Sequence, residues 1–284
     1  MTSLNLGGIP TSLGEIINFK HHLDLIKDKY DQIILSFHRP LLNTCFHIEA
    51  ADWPKKRALW DKYLSDIGVL FFSEKPYNLQ YSSPRFLGSI EMLIPRLGIR
   101  PQKAELGYLL CKGKSLNLGS EYIVITTKAR EFHRHQFDAI APKTWEVFNK
   151  LSKKYKIVIL GERQVEQRKE YDQLRIKPFG IYDDIIKNLP SDILVDLTVP
   201  ALGETVSDLS KIQQDCLIMK EAKFVVNFGV GGNFCLATSV ADMAIVYRTD
   251  NIQFTDQIFQ HKEYPNAIVT KNAERFLQAL NSYV

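Results

Sequence analysis

No run of 18 apolar residues occurs in this chain, so a membrane-spanning helix is not expected. A charged amino-terminal end leading into an apolar stretch is missing too, so no secretion signal is expected. Cysteine is scarce. Cys45, Cys111, Cys216 and Cys235 lie far apart, with neither paired nor metal-like spacing, which fits reduced thiols in a cytoplasmic protein, at most peripheral to a membrane. Glycine and proline are few, and there is neither a fixed-period repeat nor a low-complexity tract. The charge is only mildly positive, +4 with a pI near 8.7. That falls far short of a nucleic-acid coat and is compatible with an anionic substrate or a weak membrane-surface preference. No Walker loop, CxxC pair, Ser-His-Asp order or basic-aromatic alternation stands out.

What is present is an ordinary soluble composition in 284 residues, enough for two domains of roughly 100 to 150 residues each. The clearest pattern runs from Tyr122 to Arg163: a strand (Tyr122 to Thr126), a basic loop, an amphipathic helix and a second strand (Lys156 to Leu160) closing on Gly161-Glu162-Arg163. This is the βαβ unit of a parallel sheet, whose ligands bind where loops leave the carboxyl ends of the strands. The loop after Thr126 holds Lys128, Arg130 and Arg134 with His133 and His135, against the single carboxylate of Glu131. It reads as a diphosphate site or, equally, as a solvated loop; Thr126 and Thr127 at the strand end add hydroxyl donors. The histidines lack a carboxylate cluster, and no metal is expected.

A second such unit opens the chain: a strand at Ser3 to Gly7, a turn through Gly14-Glu15, a helix with its stripe at Ile16, Phe19, Leu23, Ile26 and Tyr30, and a strand at Gln32 to Phe37. Between Arg39 and Gly119 the pattern loosens. Helices are expected at 55–67 and 89–97, a loop with acceptor contacts at Tyr77 to Pro84, and a linker from Arg100 to Ser120 that is partly packed at Leu109-Leu110-Cys111. The domains are therefore set at 1–118 and 119–284. The second continues with helices near 164–174 and 182–189, a strand at Ile193 to Leu197, and a helix from Ser207, its cap, to Ala222 with a stripe at Leu209, Ile212, Cys216 and Met219. Strands at Phe224 to Phe228 and Ala244 to Tyr247 flank a helix near Phe234 to Ala241, and a last helix covers Ala273 to Tyr283.

Gly229-Val230-Gly231-Gly232-Asn233 follows a strand and opens a helix; its bare N–H groups suit a phosphate or sugar hydroxyl, or simply allow close packing. Glu15, one residue past Gly14 at a helix start, is favoured there by the helix dipole, and would act as a base only if it faced the crevice. Glu204-Thr205 offers a cap or a ribose contact.

The order of elements resembles a GT-B glycosyltransferase, most of all the ADP-heptose lipopolysaccharide heptosyltransferase family. Carrying the likeness are Leu13-Gly14-Glu15-Ile16-Ile17, Tyr122-Ile123-Val124-Ile125 with Thr126-Thr127-Lys128, Lys156 to Glu162, Asp196-Leu197-Thr198, Glu204-Thr205, and Ala222 to Val226 with Gly232 and Leu236-Ala237. The resemblance implies two Rossmann-like domains facing across a cleft and a metal-independent, cofactor-free enzyme of lipopolysaccharide or other polysaccharide biosynthesis. Such an enzyme moves a sugar from a nucleotide-diphosphate sugar to a glycan or glycolipid acceptor at the inner face of the membrane. Glu15 matches the base, Lys128 with Arg130 the diphosphate cations, and Gly232 the donor loop, with Gly14, Thr127, Gly161, Glu162, Arg163, Glu204, Thr205, Gly231 and Asn233 around the donor. Val230 and Cys235 stand where the family has aspartate and histidine. A nucleotide-sugar epimerase or hydrolase, or a binding module on a degenerate transferase frame, are the alternatives.

Overall fold

The computed structural model describes residues 1–9, 13–38, 62, 65–74, 76–82, 107–127, 137–163, 181–200, 208–229, 232–248 and 264–284. Two separate parallel sheets organise them. The smaller has the order β1 (Ser3–Ile9), β2 (Gln32–His38), β3 (Tyr77–Ser82), with helix α1 (Leu13–Asp24) crossing from β1 to β2. The segment expected to be a loop at Tyr77 to Pro84 is thus corrected to a strand through Ser82. Its backbone runs in register with β2, Ile33 beside Tyr77 and Leu35 beside Leu79, and that pairing outweighs the polar alternate residues that made it look irregular. Residue 62 and residues 65–72 are helical, which covers the described part of the helix expected at 55–67 and extends it to 72; residues 55–61 lie outside the described residues.

The larger sheet contains β4 (Tyr122–Thr127), β5 (Lys156–Arg163), β6 (Leu194–Asp196), β8 (Val225–Phe228), β9 (Ala244–Tyr247) and β10 (Ala267–Thr270), with the two-residue β7 (Val199–Pro200) beside the end of β5. Its order is β10-β9-β8-β4-β5-β6, all parallel. The chain lays down β4, β5 and β6 in one direction, returns to the far side of β4 with β8, and continues outward with β9 and β10. That is the doubly wound Rossmann order, and its direction reverses between β4 and β8. Strands covered on both faces read as unbroken apolar runs, which is why Tyr-Ile-Val-Ile and Lys-Ile-Val-Ile-Leu were recognisable.

One face of this sheet is covered by α3 (Ala141–Leu151), α4 (Ile181–Asn188) and α7 (Ala273–Asn281), whose Trp145, Phe148, Ile185 and Phe276 bury against Ile123, Ile125, Ile157 and Ile245. Pro142 in the first turn of α3 lacks only an N–H that would be unpaired there anyway. Asn272 caps α7, its side chain accepting from the Arg275 N–H at 3.0 Å. The other face carries α5 (Leu209–Glu221) and α6 (Gly232–Val240), and the short helix α2 (Gly107–Leu110) lies against α5. The cap of α5 is Asp208, which accepts from the Ser210 N–H at 2.9 Å, and not the expected Ser207, which lies outside the described residues. Asp208 is placed one residue closer to the first helical N–H groups. Ile212, Cys216 and Met219 are buried as their spacing requires, and Leu209 is half-buried.

The two halves meet through α1 and α6. A single apolar core joins Leu6, Ile33 and Leu35 of the small sheet, Ile16 and Leu23 of α1 and Phe71 and Phe72 to Phe234, Leu236 and Ala237 of α6 and Val124, Val158, Val225 and Val246 of the large sheet. Fully burying side chains of this size contributes about 1.5–3 kcal/mol each, against about 0–1 kcal/mol for an exposed ion pair, so apolar burial holds the seam. The far end of α1 is fixed differently. Lys20, buried, pairs with Asp24 at 2.5 Å, and the Tyr77 hydroxyl donates to the same carboxylate at 3.0 Å. Burial, with Asp24 alongside, pushes the Tyr77 phenol far above its ordinary value.

Candidate functional site

In a doubly wound sheet the ligand crevice opens at the carboxyl ends of the strands where the order reverses, here those of β4 and β8. Polar groups inside otherwise apolar strands collect at that point. The buried Thr126 hydroxyl, last of its face on β4, donates to Asn227 Oδ1 on β8 at 2.6 Å. Asn227 Nδ2 donates to the Asn233 carbonyl in the first turn of α6 at 3.4 Å, and Asn233 Nδ2 donates back to the Thr127 carbonyl at 3.3 Å. The Thr127 hydroxyl lies 2.8 Å from the Glu162 carbonyl and 3.1 Å from that of Leu160, linking β4 to β5. The result is a hydrogen-bonded rim tying the ends of β4, β5 and β8 to the start of α6.

Gly161 fits into this rim only because it has no side chain. Its φ is +105°, and a Cβ there would lie 2.3 Å from the Thr127 carbonyl oxygen and 3.0 Å from Asn233 Nδ2. Gly14, in the first turn of α1, faces Gly232, the first residue of α6; a Cβ on Gly14 would sit 3.0 Å from Gly232 Cα and 3.3 Å from Cys235 Sγ. The first turns of two helices therefore converge on one place. The first turn of a helix carries N–H groups without intrahelical partners and about half a positive charge, which favours an anion. Among the described residues, a Cβ on Gly232 would meet nothing within 4 Å, so these leave space beside that turn.

These two glycines make opposite predictions. Gly14→Ala would press its Cβ onto the Gly232 backbone across the seam, which must give by a few tenths of an ångström, and is expected to lower stability by about 1–3 kcal/mol. Gly232→Ala is expected to leave stability within about 0.5 kcal/mol while weakening whatever anion occupies the open side. Thermal denaturation of both variants checks the first contrast, and equal losses would contradict it.

A second polar group lies at the ends of β5 and β6. Asp196 accepts from the Tyr182 hydroxyl at 2.7 Å and from the N–H and hydroxyl of Thr198 at 2.9 and 2.7 Å, with Arg163 Nη1 3.6 Å away. Burial pushes the Asp196 carboxyl up, but the bonds from Thr198 and Tyr182 and the Arg163 charge together hold it below the usual carboxylate range. Glu162 is half-buried, its backbone beside Val199 of β7.

Of the residues singled out from sequence, Gly14, Thr127, Gly161, Gly232 and Asn233 come together at the rim, and Glu162 and Arg163 lie at its β5 side. The backbone of Glu15 follows Gly14 in α1, while its side chain, Lys128, Arg130, Glu204, Thr205 and Gly231 lie outside the described residues. Val230 is likewise outside them, and Cys235 is buried against the start of α1. Asn227 was missed by sequence reasoning. A lone amide within a Val-Val-Asn-Phe strand is its only local signal, and it matters because β4 lies beside it. Among the described residues, no group of three or more His, Cys, Asp or Glu is arranged to hold a metal ion, and no helix is long and apolar enough to cross a membrane.

No family model matches the chain, and no curated protein sequence matches it. Among solved structures, it is similar to Escherichia coli ADP-heptose LPS heptosyltransferase II, at 13% identity and a TM-score of 0.44, over 100% of this chain and 98% of that one. It is also similar to E. coli heptosyltransferase WaaC with ADP-2-deoxy-2-fluoro heptose, at 10% identity and a TM-score of 0.48, over the whole of both chains. A third is the glycotransferase of kitacinnamycin, at 10% identity and a TM-score of 0.33, over 99% and 94%.

Proposed function

We propose that this chain is a glycosyltransferase that moves a sugar from a nucleotide-diphosphate sugar to a glycan or glycolipid acceptor, with the donor in the half from 119 to 284 and the acceptor on the half from 1 to 118. The observation that supports this best is the convergence of the first turns of α1 and α6 over the reversal point of a Rossmann-order sheet, with open space beside Gly232. A diphosphate fits there because backbone N–H groups and helix dipoles meet negative charge without a metal. Lys128 and Arg130 add fixed charge to the same loop end of β4. In the reaction the acceptor oxygen attacks the anomeric carbon, the bond from that carbon to the phosphate oxygen breaks, and the nucleoside diphosphate leaves. Glu15 takes the acceptor proton, and the cations stabilise the departing oxygen. Work at the cytoplasmic face of a membrane would suit a glycolipid acceptor.

A thermal-shift panel of ADP, UDP, GDP and CDP tests the donor site. One of them is expected to stabilise the protein above the rest, by about 2.7 kcal/mol at 100 times its dissociation constant. No response to any of them removes the proposal. Cys235, buried against α1 where the resembled family keeps a histidine, favours one second reading, a module that binds a nucleotide sugar without transferring it. Nucleotide stabilisation without turnover on any acceptor would select that module.

A further inference from the structure

We infer that Asn233 reads a carbohydrate hydroxyl: its side-chain Oδ1, held at the carboxyl edge of the large sheet, accepts a hydrogen bond from a hydroxyl of the transferred sugar or of the nucleotide's ribose. The identity of the ligand rests on the function proposed above; the fixed acceptor does not. Asn233 is the second residue of α6 and is half-buried. Its amide is anchored at one end only. Nδ2 donates to the Thr127 carbonyl at 3.3 Å, and no described residue donates to Oδ1, which is open to solvent and not sealed inside. The amide cannot turn over, because that would set Oδ1 against the Thr127 oxygen, acceptor against acceptor. Oδ1 is therefore the atom turned away from β4.

Further contacts fix where that acceptor stands. The Asn233 carbonyl accepts from Asn227 Nδ2 at 3.4 Å, and Asn227 Oδ1 accepts from the Thr126 hydroxyl at 2.6 Å, with Asn227 and Thr126 both buried. Thr126 and Thr127 are consecutive, so the main chain and the side chain of Asn233 are both tied to the end of β4. Towards β5 the amide lies against Gly161, where a Cβ would come within 3.0 Å of Nδ2. Beside the preceding Gly232 the described residues leave space. A tie to the Thr127 carbonyl needs only one donor. The amide brings an acceptor as well, and the tie aims it.

An amide oxygen selects by proton. An ionised phosphate oxygen has none to give and is repelled, whereas a hydroxyl donates readily. The N–H groups of a helix's first turn have the opposite preference, since they donate. Donors and one fixed acceptor thus stand side by side at the start of α6, matching a ligand in which proton-free phosphate oxygens lie next to hydroxyls. A sugar joined to a phosphate, whether ribose or the transferred sugar, has that chemistry.

The test uses the full chain as wild type, Asn233→Leu and Asn233→Asp, titrated calorimetrically with the tightest-binding of ADP, UDP, GDP and CDP, with the 2′-deoxy and 3′-deoxy forms of that nucleotide, and with its glucose derivative. Wild type is expected to prefer a ligand over the form without the hydroxyl by about 3- to 10-fold, as one neutral hydrogen bond should. Ribose recognition shows as the parent nucleotide over a deoxy form, and recognition of the transferred sugar as the glucose derivative over the parent. Asn233→Leu, similar in size but without an acceptor, is expected to abolish that preference. A residue that merely held α6 in place would weaken every ligand equally and leave the preference intact. Asn233→Asp keeps an acceptor and loses the donor to Thr127, so it is expected to retain the preference, and it decides the matter if the leucine variant does not fold. A preference that survives in Asn233→Leu, or one that disappears in Asn233→Asp, overturns the inference. A wild-type protein that binds none of the nucleotides overturns the nucleotide-sugar function and this inference with it, whereas nucleotide binding without any hydroxyl preference overturns the inference alone.

Discussion

Glu15→Gln is expected to leave nucleotide binding unchanged and to lower turnover by about two orders of magnitude or more. Its backbone is the second residue of α1 and follows Gly14, which meets the first residue of α6 across the seam, so residue 15 stands where the two halves join. Glutamine keeps the size of the side chain and much of its hydrogen bonding but cannot accept the acceptor proton. An interaction needed only as the proton moves is lost from the rate and not from the affinity. Lys128→Ala is the opposite control, since a cation on the donor diphosphate acts before and during transfer; its expected effect is a weaker donor affinity. Initial rates with a transferring donor and acceptor pair, alongside calorimetric donor binding, separate the two. Full activity in Glu15→Gln would withdraw the base assignment while leaving the donor site standing.

The frame of the large sheet was legible because strands buried on both faces write themselves as apolar runs, and the helices between them as stripes. Even so, β10 went unnoticed. Ala-Ile-Val-Thr is only four residues long, and pairing with β9 rather than local preference makes it a strand. The same holds for Tyr77–Ser82, whose register with β2 is set by residues more than 40 positions earlier. Strand order is a non-local property, so nothing near Thr126 announces that Asn227 will lie beside it. The glycines were visible as turn residues. Which of them is pressed against a backbone, as Gly14 and Gly161 are, and which faces open space, as Gly232 does, depends on contacts with distant elements. The local pattern thus carries the scaffold, and the rim emerges only once strands distant in sequence become neighbours.

Gly161→Ala is expected to be the most damaging single substitution at the rim. Two costs combine. An alanine held at φ +105° carries a backbone penalty of about 1–2 kcal/mol, and its Cβ would lie 2.3 Å from the Thr127 carbonyl oxygen, well inside contact. That oxygen cannot simply move aside. Thr127 pairs with Gly161 across β4 and β5 and accepts from Asn233, so relief of the overlap separates the two strands or releases α6 from them. A loss of about 3 kcal/mol or more follows, which at roughly 2–4 °C per kcal/mol lowers the melting temperature by about 6–12 °C. Gly119 provides the comparison, because its φ is +68° but a Cβ there meets nothing within 4 Å. Gly119→Ala should therefore suffer only the backbone part, a fall of about 2–8 °C. Thermal and denaturant unfolding of the two variants side by side measure the difference. If Gly161→Ala lost no more than Gly119→Ala, the close approach of β5 to the Thr127 carbonyl would not be what demands glycine at the rim.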